Sequence, residues 1–552
     1  MTQLAANALS VHRDRLRNAA VVALLLAVAL VPLWSVDIPP LTDYHNHLAR
    51  QYILANLPRS EYLQAFYQAD WKLAPYLAMD AVVQGLAGFV SVDLAGRIFL
   101  SMAFLLTASA PIALSLALFG RVTPFALLGL LTIHNQALSL GFVHYLFSVG
   151  FALCLLALWI RLREGRPWVR LTVFPVLVTL LFFSHLIGFA IYALTVGAYE
   201  LSRHVDEVRR RTPRAPLSLD RIQRLDLLSL SLQCLLPLGL FVLFGPPATT
   251  LGQNTHGGLA RKFGLLADSV PYLIPPYLWT QDRILAVALP AALLLLAAMR
   301  KLAVAKRMVW PLLAMLLLFF AMPWNLLGGF GADHRMLPAI ALLLAGSLTW
   351  KAARDTRRRI PGAARSQPTD ATRDLARRWD AFAFALVAGL VAVRTAAITT
   401  EWRAADREYA EYVRGFESLT DGSRMYYAFG HAGSAKQGHL TTYSVPCLAV
   451  ASRHVYVPYL FTSSASHPGI TMRYTANYEP LERLSPGPRL VYGQSPDWNA
   501  ILDKYDFFLL GNERFFDTPV PGQLVPVYKG TAFTLYRNPA AGPRSTTARA
   551  GG

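Results

Sequence analysis

Cysteine is nearly absent: 3 in 552 residues. Cys154 and Cys234 lie inside apolar runs and Cys447 stands alone, which excludes a disulfide framework and a CxxC metal knuckle. Charge is also scarce. Only 15% of residues are charged, against roughly 25% in soluble domains. Acids are the scarcer sign, 33 against 52 Lys and Arg, for a net charge of +19. There is no P-loop, no GxSxG and no HExxH, so the chemistries tied to those motifs have no carrier here. No internal repeat is present.

Apolar residue is what the chain has in quantity, 54% of the total. Long apolar runs recur, and they predict a multi-pass membrane protein. The arginines cluster beside these runs, where they set orientation, so the positive charge is not read as a nucleic-acid surface. His12, Arg13, Arg15 and Arg17 precede the first run, but the run is long and no small-x-small cleavage site follows, so a retained helix is expected. High Ala, Leu and Arg usage suggests a bacterial inner membrane.

Crossings are expected near 18–36, 95–119, 123–140, 142–160, 170–199, 226–244, 283–300, 308–325, 334–350 and 381–398. The basic connections 161–170, 203–224, 301–307 and 351–365 belong on the cytoplasmic side. The run 170–199 has basic flanks at both ends, which predicts a hairpin with Ser184 and His185 at its tip. The sum is about eleven crossings, roughly 20 residues each. The expected domains are a cytoplasmic tail 1–17, a transmembrane domain 18–398 with a long outer loop 37–94, a periplasmic α/β domain 399–540 and a disordered tail 541–552. The α/β domain is read from short aromatic and β-branched stretches, "RMYYAF", "RHVYVPYLF", "PRLVYG", "YDFFLLG" and "PVYKGTAFTLYRN". The fold class is thus all-α polytopic with an appended α/β domain.

Sorting polar residues by side gathers most of them at one face. Asp37, Asp43, His45, His47 and Arg50 follow the first crossing. His134 and His144 flank the junction of two crossings, and His185 sits at the hairpin tip. Arg261, Lys262 and Arg283 occupy an outer loop, and Asp333, His334 and Arg335 a late outer connection. Polar groups at membrane depth are costly and mark function. Asp43 suits a general base, since burial raises a carboxylate toward working pH. The arginines and lysine suit a phosphate. Several His with Asp could instead hold a divalent metal, but the spacing DYHNH matches no zinc signature; no cofactor is expected, with a divalent metal as the alternative.

The layout resembles the GT-C superfamily of integral-membrane glycosyltransferases. The likeness rests on an acid early in a long first outer loop, "LTDYHNHLARQYILANLP", on amphipathic pieces after it, "SEYLQAFYQADWKLAPYLAMDAVVQGL", and on a late "HRMLP" ahead of a helix. The resemblance implies Asp43 as catalytic base and a polyprenyl-phosphate or pyrophosphate sugar as donor, moved to a cell-envelope acceptor. His47 would position the base or the acceptor, with Asp37 in reserve. Arg335 would hold the donor phosphate, aided by His334 and Asp333. Two departures stand out: Tyr44 follows Asp43 where many members pair two acids, and no WWDYG-type signature occurs. The competing reading is a transporter, flippase or non-catalytic envelope assembly protein.

Overall fold

The computed structural model describes residues 19–163, 165, 167–209, 221–244, 254–275, 282–326, 329–351, 370–431, 442–462, 469–484, 489–490 and 494–541. The expected tail 1–17, all but the first residue of the expected tail 541–552 and all but the first residue of the basic connection 351–365 lie outside them. The chain opens with α1 (Ala19–Trp34). The first long connection holds α2 (Tyr44–Asn56), α3 (Glu61–Phe66), β1 (Tyr67–Trp71) and α4 (Ala78–Leu86). Then come α5 (Val92–Phe119), the short α6 (Leu128–Leu131) and α7 (Gln136–Ser139), α8 (Val143–Leu162), α9 (Pro167–Ser184), α10 (Leu186–Val208) and α11 (Arg221–Phe244). The later helices are α12 (Gly258–Ala267), α13 (Ser269–Leu273), α14 (Asp282–Ala298), α15 (Val309–Ala321), α16 (Met336–Ser347) and α17 (Asp370–Phe416). Strands β2 (Leu302–Val304) and β3 (Leu348–Trp350) pair antiparallel.

Five of these helices are long and apolar enough to cross a membrane, among the described residues. The expectation of about eleven crossings counted apolar runs, and several runs do not become long apolar helices. Helices α14, α15 and α16 have 17, 13 and 12 residues. Helix α10 carries Glu200, Arg203, Asp206 and Glu207 near its end.

The expected crossing 123–140 is a correction. It is not one helix but a 3-10 turn at Pro124–Leu127, then α6, a bend at 132–135, and α7. A broken crossing frees backbone carbonyls, and in a bilayer these must be satisfied by protein. Arg394 on α17 does this. Its Nη1 donates to the Leu131 carbonyl at 2.7 Å and its Nη2 to the His134 carbonyl at 3.1 Å. Its charge is matched by Asp282, 2.7 Å from Nη2.

The run 170–199 does fold back. Arg170 near the start of α9 and Glu200 far along α10 belong to one buried ionic group. Arg170 bonds Asp226 at 2.5 Å, and Arg163 bonds both Asp226 at 2.8 Å and Glu200 at 3.2 Å. Residues 170 and 200 therefore share one end of the bundle, and the tip at Ser184 and His185 reaches the other, hereafter the site end. Each arm is longer than the expected 14 residues, at 18 and 23.

The boundary expected at 398 falls inside a helix. α17 runs 47 residues without interruption. Its Asp380 pairs with Arg121, while Asp406 caps the backbone amides of Asp37 and Ile38. Twenty-six residues separate these ends, about 39 Å at 1.5 Å per residue, enough to span a bilayer. Beyond it lies a five-stranded sheet in the order β6-β4-β7-β9-β8. Its strands are β4 (Met425–Gly430), β6 (Arg489–Leu490), β7 (Phe507–Gly511), β8 (Val525–Lys529) and β9 (Phe533–Arg537). β4 runs parallel to β6 and β7, and the last two strands form an antiparallel hairpin. "RHVYVPYLF" is a further correction: only Tyr456 makes a bridge, to Arg424. Instead β5 (Ile470–Tyr474) pairs antiparallel with β1 and stitches this region to the first connection.

Arg394→Leu would strand Asp282 and both freed carbonyls. Removing one partner of a buried pair costs about 3–5 kcal/mol, so the thermal midpoint of the purified protein in detergent falls sharply. The exposed Arg283, next to Asp282, serves as the control: Arg283→Ala stays within about 0.5 kcal/mol of the parent.

Candidate functional site

Asp43 stands at the amino end of α2, half-buried. The broken crossing holds it there. Thr42 N–H donates to Ser139 O at 2.9 Å and Asp43 N–H to Leu140 O at 3.1 Å. Gly141 permits the approach: it has φ +86°, and a Cβ there would lie 2.6 Å from the Asp43 nitrogen. Burial pushes the Asp43 carboxyl up to about 7, while nearby Arg335 pulls it down. Burial holds the His45 imidazole down at about 4, and burial together with His144 and Arg50 keeps His47 well below the usual range.

His47 lies one turn on, its ring 5.2 Å from that of His144 and 4.9 Å from Phe461. Tyr76 links the rest. Its ring is 5.9 Å from His144 and 4.4 Å from His185, and its hydroxyl lies 3.5 Å from Arg335 Nη1. Tyr76 also has φ +81°, a strained conformation for an aromatic residue of the kind that gathers at functional sites. Arg335 is 7% exposed. Its guanidinium sits 4.1 Å from the Phe142 ring centroid, and Nη2 donates to Phe330 O at 2.9 Å. Its Nε has no acceptor. The Tyr145 hydroxyl donates to the Arg335 carbonyl and fixes the backbone.

The fold thus brings Asp43, His47, His144, His185 and Arg335 into one group from four separate stretches. Arg50 stands behind it, its charge spent on Asp80 at 2.5 Å and on the Ile470 carbonyl. Asp333, His334, Arg261 and Lys262 form a second group, on the far side of residue 335. Lys262 bonds Asp333 at 3.0 Å and Met322 O at 2.6 Å. Arg261 lies 3.5 Å over the Trp324 ring. His334 stacks on Tyr272 at 5.4 Å. Burial would raise the Asp333 carboxyl, but hydrogen bonds from His334 and Lys262 outweigh it and hold it at about 2.

The remaining candidates lie elsewhere. His45 turns away, bonded to Pro39 O at 3.0 Å and Ser444 at 3.2 Å. Asp37 has a side chain 93% exposed, against Arg97 at 3.3 Å. His134 is buried between Phe104 and Trp402, and Arg283 is exposed on α14. No group of three His, Cys, Asp or Glu is arranged to hold a metal among the described residues.

Sequence reasoning missed Tyr76, Phe142, Tyr145, Phe461 and Arg394. "APYLAM" offered no warning of a left-handed tyrosine. Arg394 was readable as a lone cation deep in an apolar run, "LVAGLVAVRTAAI".

No protein-family model matches the chain, and no curated protein matches it. A solved structure does. ArnT from Cupriavidus metallidurans bound to undecaprenyl phosphate superposes with a TM-score of 0.53 at 15% identity, covering 95% of this chain and 99% of that one. The apo form of that protein gives 0.49 at the same coverage. The chain thus has an ArnT-like fold.

A carboxyl raised this far has a consequence for stability. Its folded value, about 7, lies above the ordinary aspartate value of 3.8, so folding is favoured while the group is protonated. That contribution is complete below about pH 4 and is lost as pH rises through about 7. Asp43→Asn removes the loss. The variant should have the higher thermal midpoint at about pH 8, and the gap should close by about pH 4. A gap independent of pH would show that Asp43 is not destabilised when ionised.

Proposed function

We propose that the protein is a membrane glycosyltransferase that moves a sugar from a polyprenyl-phosphate carrier to a cell-envelope acceptor. The observation that carries this reading is the juxtaposition of a half-buried carboxyl near pH 7 with a buried arginine whose Nε has no acceptor. A base and an anion site at one end of an apolar bundle are what such a transfer requires. The ArnT-like fold supports it, since that neighbour binds undecaprenyl phosphate. The site end faces the periplasm of a bacterial inner membrane, and so does the sheet region after α17. The basic connections at the opposite end favour that orientation.

Asp43 takes the proton of the acceptor hydroxyl as its oxygen attacks the anomeric carbon. The bond from that carbon to the carrier's phosphate oxygen breaks, and the electron pair leaves with the phosphate. Arg335 binds the phosphate and meets the charge that grows on it. His47, neutral, positions the acceptor across from Phe461. The opposite end of the hairpin is closed by the Arg163, Arg170, Asp226 and Glu200 network, which disfavours a transport path between the two faces.

Two measurements test the assignment. Transfer of sugar from a polyprenyl-phosphate donor should rise with pH through about 7 as Asp43 ionises, and Asp43→Asn should abolish it with folding intact. A normally folded, active Asn variant would sink the base role. Arg335→Lys keeps the charge but loses the planar fork. Loss of one charge-assisted bond, about 1.5–3 kcal/mol, should weaken donor binding roughly ten- to a hundredfold. An arginine that only anchors helix depth would tolerate lysine.

A further inference from the structure

His185 is the residue where α9 ends and α10 begins, and its ring does two jobs. Nδ1 accepts the backbone N–H of Ile187 at 3.1 Å, capping α10. A capping acceptor needs a lone pair, so the neutral ring must carry its proton on Nε2. That fixes Nε2 as a donor. The residue is 1% exposed, and Nε2 has no partner. The ring lies 4.4 Å from Tyr76 and 5.9 Å from Tyr145, the two tyrosines that contact Arg335. Arg335 Nε is the second buried N–H of this group without an acceptor. Both orphans are donors. Buried donors left unmatched are costly, and two that flank the same pair of tyrosines call for one species rich in acceptor oxygens. The amino end of α10 adds its partial positive charge at the same place.

We propose that His185 is a catalytic residue that donates a hydrogen bond from Nε2 to a phosphate oxygen of the donor lipid. The inference rests on the reading of this site as a polyprenyl-phosphate glycosyltransferase site. The ring keeps its proton throughout. The acceptor proton goes to Asp43, and the electron pair of the broken sugar–oxygen bond goes to the phosphate, where the His185 and Arg335 donors meet the added charge. The locked tautomer also bars His185 from the base role: Nε2 has no lone pair to offer, and protonating Nδ1 would break the helix cap.

Two substitutions separate the ring's two jobs. His185→Asn puts an oxygen near the Nδ1 position and keeps the cap, since Asn is among the best capping residues, but leaves the Nε2 position empty. His185→Gln puts an amide N–H near the Nε2 position and gives up the cap. The probe is undecaprenyl phosphate, titrated onto the full-length protein in detergent, with the thermal midpoint of each variant recorded. The expected result is a roughly ten- to a hundredfold weaker affinity for the Asn variant at an unchanged midpoint, and near-parental affinity for the Gln variant at a lowered midpoint. Parental affinity in the Asn variant overturns the donor role while leaving the phosphate site in place. Equal loss in both variants makes His185 structural only and also overturns it. Failure of the parent protein to bind the lipid overturns the reading of the site, and this inference with it.

Discussion

A broken membrane crossing is the constraint on which this structure turns. Between α5 and α8 the chain passes through the bundle as two single helical turns and a bend, and the carbonyls at Leu131 and His134 lose their helical partners. Hydrocarbon offers no substitute. A guanidinium is well suited to the repair, because it has five donors in a fixed plane and no acceptor of its own. Arg394 reaches both carbonyls and is neutralised by Asp282. The break then does something a helix could not. It leaves the carbonyls of Ser139 and Leu140 free to accept from Thr42 and Asp43. The position of the acid thus follows from a defect 260 residues earlier in sequence than the arginine that mends it.

Charge is distributed on the same economy. Buried cations in a low-dielectric interior need partners, and most of them have one. Arg50 has Asp80, Lys262 has Asp333, Arg170 has Asp226 and Arg394 has Asp282. Arg335 differs. It has carbonyl, tyrosine and ring contacts, and it acts on the Asp43 carboxyl, which burial keeps near 7. An arginine beside a half-ionised acid retains field to spend on an incoming anion. Asp333 makes the contrast within the same stretch. Two residues away, with Lys262 and His334 committed to it, its carboxyl is held at about 2, and that group serves to fix the turn.

The parts of this arrangement that were legible in sequence are those governed by composition. Apolar runs, the basic flanks of 170–199 and the polar residues at run ends were enough to put Asp43, His185 and Arg335 on one side and to fold the hairpin at His185. The break at 132–135 was hidden, because "LLTIHNQALSLGF" is as apolar as a helix and its irregularity is tertiary, stabilised by an arginine from α17. The continuation of α17 to Phe416 was missed for the opposite reason. "EWRAADREYAEYVRGF" is polar and was taken to leave the helix with the membrane, although its residues are good helix formers. Tyr76 could not be found at all, since a left-handed tyrosine is imposed by its surroundings.

The position of the acid also depends on the region after α17, which grips α2 from the other face. Asn46 donates to Tyr459 O at 2.9 Å and accepts from Phe461 N–H at 2.9 Å. His45 meets Ser444, which in turn donates to the Thr42 carbonyl. Arg50 reaches the Ile470 carbonyl of β5. One short helix therefore serves two bodies: Asp43 is tied to the bundle through Leu140 O, His45 and Asn46 are tied to the region after α17, and His47 lies between His144 and Phe461. A helix start held from both sides has little freedom to shift, and groups that need no reorganisation as charge moves are the ones that stabilise a transition state most. The density of polar residues in VDIPPLTDYHNHLAR follows from this double duty, since each face of the helix needs its own set of hydrogen-bonding partners where it is buried.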